Sequence, residues 1–129
     1  MDIGTLLSGI NTAGSVLSKV LSKRGTRIQK KIVAVSLMQK AINNTEAYLV
    51  KSDRDFVPKE NLSQLWLDAF TAMITVDKTL ALRLRQKSKF WSNPQKWIRE
   101  DGAMELIPSL KELDQTCEML LIELERRSK

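Results

Sequence analysis

Apolar residues recur every three or four positions along most of this chain, the spacing of amphipathic helices. The pattern is densest between Asn61 and Phe90. Leu62, Trp66, Ala69, Met73, Val76 and Leu80 form one stripe, with Leu67, Phe70, Ile74, Ala81 and Leu84 beside it. Two adjacent stripes need cover from more than one direction, so a long central helix over about 59–90 is expected, surrounded by partners.

The rest of the chain supplies those partners. Over 3–24, Ile3, Leu6, Leu7, Ile10, Ala13, Leu17, Val20 and Leu21 share one side, and Gly4, Ser8, Asn11, Thr12, Ser15, Ser18 and Ser22 share the other. Gly25 is a natural C-terminal cap for that helix. Thr26 with Gln29 has capping-box spacing. It opens a second helix over 27–51, whose core stripe is Ile28, Ile32, Val35, Met38, Ile42 and Leu49, widened by Val33, Ala34, Leu37, Ala41 and Tyr48. Asn61 with Gln64 repeats the capping spacing at the start of the central helix. Pro94, preceded by Asn93, starts a short helix over 94–100 with Trp97 and Ile98 facing inward, and Asp101-Gly102 ends it. A last helix over 105–127 carries Leu106, Leu110, Leu113, Cys117, Leu120, Leu121 and Leu124, with Ser109 and Glu112 again at capping spacing. The expected fold is all-α: an up-and-down four-helix bundle in one domain over 1–129, with one short extra helix after Pro94.

Composition removes most catalytic chemistry. The 129 residues include no histidine and a single cysteine. That excludes Ser-His and Cys-His pairs and any structural zinc site. Gly4, Gly9 and Gly14 are strung along a helix rather than gathered in a phosphate-cradling turn. No enzyme activity, cofactor, metal or small-molecule substrate is therefore expected. Cys117, in the stripe of the last helix, reads as a buried small hydrophobe. No stretch reaches the ~18 consecutive apolar residues of a membrane span. The opening residues lack the basic region of a secretory leader, so a cytoplasmic location is expected, with membrane association open.

Charge sharpens the picture. The net charge is +6. Residues 1–52 hold eight Lys/Arg against two Asp/Glu, whereas residues 103–129 hold four against six. Lys19, Lys23, Arg24, Arg27, Lys30 and Lys31 cluster around one turn. Those at the start of the second helix oppose its dipole, which hints at a nearby anion. Together with Gly4, Ser8 and Ser15 on the uncharged face of the first helix, they form the candidate interaction surface. Phe90, Trp91 and Trp97 make an aromatic corner, read either as a docking anchor or as a plug closing one end of the bundle. Asp68 and Asp77 lie in the apolar middle of the central helix, and a buried carboxylate needs a cationic partner such as Lys31 or Lys40. The alternative is an exposed polar edge or a structural ion pair.

An amphipathic N-terminal helix followed by a basic cluster resembles the executioner bundles of the HeLo and necroptosis type, in which an N-terminal segment or basic surface engages lipid. The likeness is one of architecture and not of motif. It implies an anionic membrane as partner. The patterning alone favours a non-enzymatic interaction or assembly module that binds a protein partner or a second copy of itself. Nucleic acid is a less favoured partner, because no aromatic side chains interleave the cations to stack on bases.

Overall fold

The computed structural model describes residues 23–53, 56–100, 102 and 107–127, with side chains from residue 26 onward. It is an all-α bundle. The helices are α1 (Lys23–Lys51), α2 (Glu60–Met73), α3 (Lys78–Ser92), α4 (Pro94–Arg99) and α5 (Leu110–Arg127). The stretch 3–22 of the expected first helix lies outside the described residues.

α1 is the spine. Val35, Met38, Ala41 and Ile42 are sealed from solvent against Leu62, Trp66, Ala69 and Met73 of α2 and Leu80, Ala81 and Leu84 of α3. Gly25 and Thr26 lie inside α1 and do not separate two helices there. One glycine costs a helix only ~1 kcal/mol, too little to break one held by packing. α1 ends where Ser52 N–H bonds to the Tyr48 carbonyl at 2.8 Å and Asp53 takes the left-handed conformation (φ 56°). Asp enters that region more readily than most residues.

The expected continuous helix over 59–90 is instead two. α2 stops at Met73, and α3 starts at Lys78. Ile74, Thr75 and Val76 are consecutive β-branched residues, all poor helix formers. Asp77 then caps α3: its carboxylate accepts from Leu80 N–H at 3.0 Å. Asp77 is thus an exposed cap and not a buried carboxylate. Asp77→Ala is expected to cost about 1 kcal/mol, read as a drop of a few degrees in thermal midpoint.

α2 begins one turn-position before Asn61: Lys59 is its N-cap residue, without a side-chain cap bond, so Asn61 sits within the helix. Near the open end of the hairpin, away from the turn, α2 and α3 are clasped by a pair of serines. Ser63 Oγ donates to the Ser88 carbonyl and Ser88 Oγ donates to the Ser63 carbonyl, each at 2.9 Å. Two small side chains at one level let the helix backbones close up, and the bonds satisfy hydroxyls that would otherwise be costly inside.

α4 starts at Pro94, with Asn93 Oδ1 accepting from Lys96 N–H at 3.4 Å. Gly102 beyond it has φ +76°, a conformation that favours glycine. α5 begins at Leu110 and not at 105, because Ser109 Oγ accepts from Glu112 N–H at 3.0 Å and fixes the start. α5 runs antiparallel to α1: Glu123 meets Lys31, while Cys117 meets Val35 and Gln39. Leu113 and Cys117 are its sealed positions.

Several residues expected in the core stripes lie outside it. Ile32, Val33, Leu67 and Ile98 are between 40% and 44% exposed. Val35, Trp66 and Leu84 of the same stripes are fully covered.

Candidate functional site

The base of the bundle, where α1 begins, holds a groove built by three separate elements. Arg27, Ile28, Lys30 and Lys31 come from the first turns of α1, Thr75 and Val76 from the link between α2 and α3, and Arg127 from the last turn of α5. Its volume is about 340 Å³. The antiparallel packing of α5 on α1 brings the two cationic helix ends to one level. The β-branched break after Met73 supplies the third wall.

One carboxylate organises the cations. Glu123 Oε1 accepts a hydrogen bond from Lys31 Nζ, and the Arg127 guanidinium lies 3.5 Å from the same oxygen. The Lys31 hydrogen bond and its charge, aided by Arg127, hold the Glu123 carboxyl below the usual range. Lysine has three donor hydrogens and arginine five, so both keep donors to spare after binding Glu123. Arg27 and Lys30 are exposed, and among the described residues no carboxylate pairs with either. Among the described residues, four cations therefore line the groove against one carboxylate. The first turn of α1 contains no acidic residue. Arg127 lies in the last turn of its helix, where a cation agrees with the helix dipole. Ile28 and Val76 give the groove an apolar flank and Thr75 a hydroxyl.

The other sequence-derived candidates fall elsewhere. Gly4, Ser8, Ser15 and Lys19 lie outside the described residues. Lys23 and Arg24 lie in the first turn of α1, with their side chains outside the description. Asp68 is exposed on α2 and accepts from Gln64 Nε2 at 2.8 Å, so neither it nor Asp77 is a buried ionic site. Lys31, one of the cations considered as their partner, faces Glu123.

At the opposite end, Trp91 is sealed and Phe90 nearly so, 1% and 4% exposed. Trp91 meets Tyr48 edge-on at 5.6 Å and Phe90 at 5.2 Å, with Phe56 tilted against it at 6.1 Å. Lys59 Nζ lies 5.0 Å from the Tyr48 ring centre, a cation–π contact on the rim. Trp97 is half-buried in a second, polar groove with Lys89, Ser92, Asn93, Lys96 and Glu100, and its indole N–H donates to the Lys89 carbonyl at 3.3 Å. In that groove Glu100 offsets one of only two lysines, so the electrostatic pull on an anion is weaker than at the base.

No family model matches this chain, and no match is found among curated proteins or solved structures. Function must therefore be read from the chain's own groups.

Two such groups were not singled out by sequence reasoning. Arg127 reads in sequence as a residue completing its helix dipole, and only the tertiary fold carries it to Arg27 and Lys30. The Glu123–Arg127 spacing of four was the one local signal. Lys87 on α3 is 9% exposed, and burial lowers its ammonium pKa from 10.5 to about 8. No hydrogen bond or ion pair joins it to a described residue. Its spacing of three after Leu84 and four before Trp91 placed it on the buried stripe.

Proposed function

We propose that this chain is a non-enzymatic interaction module that docks an acidic partner onto the basic base of its bundle. One observation carries the reading: Arg27 and Lys30 line an open groove beside Lys31 and Arg127, with no carboxylate opposite them among the described residues. Charges arranged in this way raise the local concentration of an anionic partner and speed its encounter. The partner class is a protein with an acidic face, a second copy being the assembly form of the same reading.

The test is retention on an immobilised polyanion across a salt gradient. Arg27→Gln/Lys30→Gln is expected to elute at clearly lower salt than the wild-type chain. Lys40→Gln/Lys51→Gln removes the same charge from exposed positions elsewhere on α1 and is expected to shift elution less. Equal shifts for the two variants would mean that net charge alone, and not the groove, governs binding.

An anionic membrane is the second reading, favoured by one feature. The groove lies at the end of the bundle from which the chain runs back into residues 3–22, whose sequence puts apolar side chains on one side and small polar ones on the other. Basic residues beside an amphipathic segment supply two signals for surface binding, where either alone is marginal. Leakage or co-sedimentation with anionic vesicles, lost on removal of residues 1–22, is the expected behaviour under this reading.

A further inference from the structure

We infer that the basal groove takes a phosphomonoester headgroup, a dianionic phosphate carried on a small polar alcohol. This rests on the reading of the base as an anion-docking surface and names the chemistry that fits it.

Three features fit a phosphate monoester as the anionic group that this surface docks. The first is donor type. Arg27 and Arg127 present planar guanidinium forks, which match two oxygens of a phosphate at once, and Lys30 and Lys31 add compact point charges. The second is charge balance. Four cations less the Glu123 carboxylate leave three positive charges, so a dianion is better matched than a single carboxylate. The third is pre-organisation. Glu123 holds the Lys31 ammonium and lies beside the Arg127 guanidinium from below, so part of the rotamer entropy of these long side chains is lost before any ligand arrives. At about 340 Å³ the groove lies at the small end of ligand sites, ~300–1,000 Å³. That is room for a phosphate and its attached alcohol. Thr75 offers a hydroxyl to that alcohol, and Ile28 and Val76 offer apolar contact to its carbons.

Such a headgroup reaches the groove either on a lipid or free in solution, and the experiment separates the two. The wild-type chain is sedimented with phosphatidylcholine vesicles containing phosphatidic acid, and with vesicles in which phosphatidylserine supplies the same surface charge. Soluble glycerol 3-phosphate is then added as competitor, and is also titrated alone by calorimetry. The expected result is a preference for phosphatidic acid, competition by glycerol 3-phosphate, and loss of both in Arg27→Gln/Arg127→Gln. A charge-assisted contact is worth roughly tenfold in affinity, so the double variant is expected to bind about a hundredfold more weakly. Both side chains are exposed, and circular dichroism of the variant checks that its helices persist.

Binding of glycerol 3-phosphate without vesicle binding would support the inference and identify the free phosphate as its source. Equal binding to the two vesicle types with no competition would overturn the phosphomonoester and leave a charge-sensing surface intact. A wild-type chain that binds no vesicle, no glycerol 3-phosphate and no immobilised polyanion would overturn the docking surface as well.

Discussion

Replacing Lys87 by methionine is expected to stabilise the folded chain near neutral pH by about 2 kcal/mol. Lys87 is 9% exposed, and its ammonium pKa falls from 10.5 to about 8 because burial strips its hydration. That drop corresponds to about 3 kcal/mol of destabilisation while the group is charged in both states. Methionine has a stem of similar length for this buried position and removes the charge. The sign with pH is fixed. Below about pH 8 the folded and unfolded chains both hold the proton, and the full penalty applies. Between about 8 and 10.5 the unfolded chain binds the proton and the folded chain does not, so wild-type stability rises with pH from this residue. Urea denaturation of the two proteins at neutral pH and near pH 10.5 is the check. The variant should lead by about 2 kcal/mol at the first, and the lead should vanish or reverse at the second, because the wild-type chain gains about 3 kcal/mol in between. A gap that stays constant would mean that Lys87 is not charged and confined when folded.

Trp66→Ala is expected to be the most damaging single change described here, at about 3–5 kcal/mol. The indole is fully buried between α2 and α1, and its Nε1–H donates to Thr45 Oγ1 at 2.9 Å. Thr45 is itself only 1% exposed, so the bond is made away from water, where losing one partner leaves the other stranded. Thr45→Val is therefore expected to cost about 1–3 kcal/mol although its shape hardly changes. Trp66→Phe strands the Thr45 hydroxyl in the same way, whereas Trp66→Phe/Thr45→Val removes donor and acceptor together, so the loss in this double variant should be smaller than the sum of the Trp66→Phe and Thr45→Val losses. Chemical denaturation of Trp66→Phe, Thr45→Val and the double variant beside wild type gives the coupling directly. Strict additivity would show that the indole N–H finds another acceptor.

Much of this architecture can be read from spacing alone. Val35, Met38 and Ile42, then Trp66, Ala69 and Met73, then Leu80 and Leu84, are core positions in the stripe pattern and in the fold. Asn93-Pro94 and Ser109 mark real helix starts. The break after Met73 was hidden because a tight hairpin returns its second helix to the same core, so the apolar spacing runs on across the turn. The local clue was chemical and not periodic: three β-branched residues followed by an aspartate able to cap. The same masking made Asp77 look interior. At the site, Arg27, Lys30 and Lys31 stand out in the sequence as cations on the wrong end of a helix. Thr75, Val76 and Arg127 join them only through long-range packing, which local pattern does not encode.

The placement of Cys117 has a consequence for how the last helix can be watched. Its sulfur is sealed between α5 and α1, 3.8 Å from the Val35 carbonyl oxygen, and burial together with Asp114 and Glu118 raises the thiol pKa to about 11. A thiol-seeking dye can react there only when α5 swings off its neighbour, so the unlabelled wild-type chain carries a built-in stopwatch for that breathing. Any ligand that straps Arg127 to Arg27 across the base should slow its ticking, even though the sulfur lies elsewhere along α5.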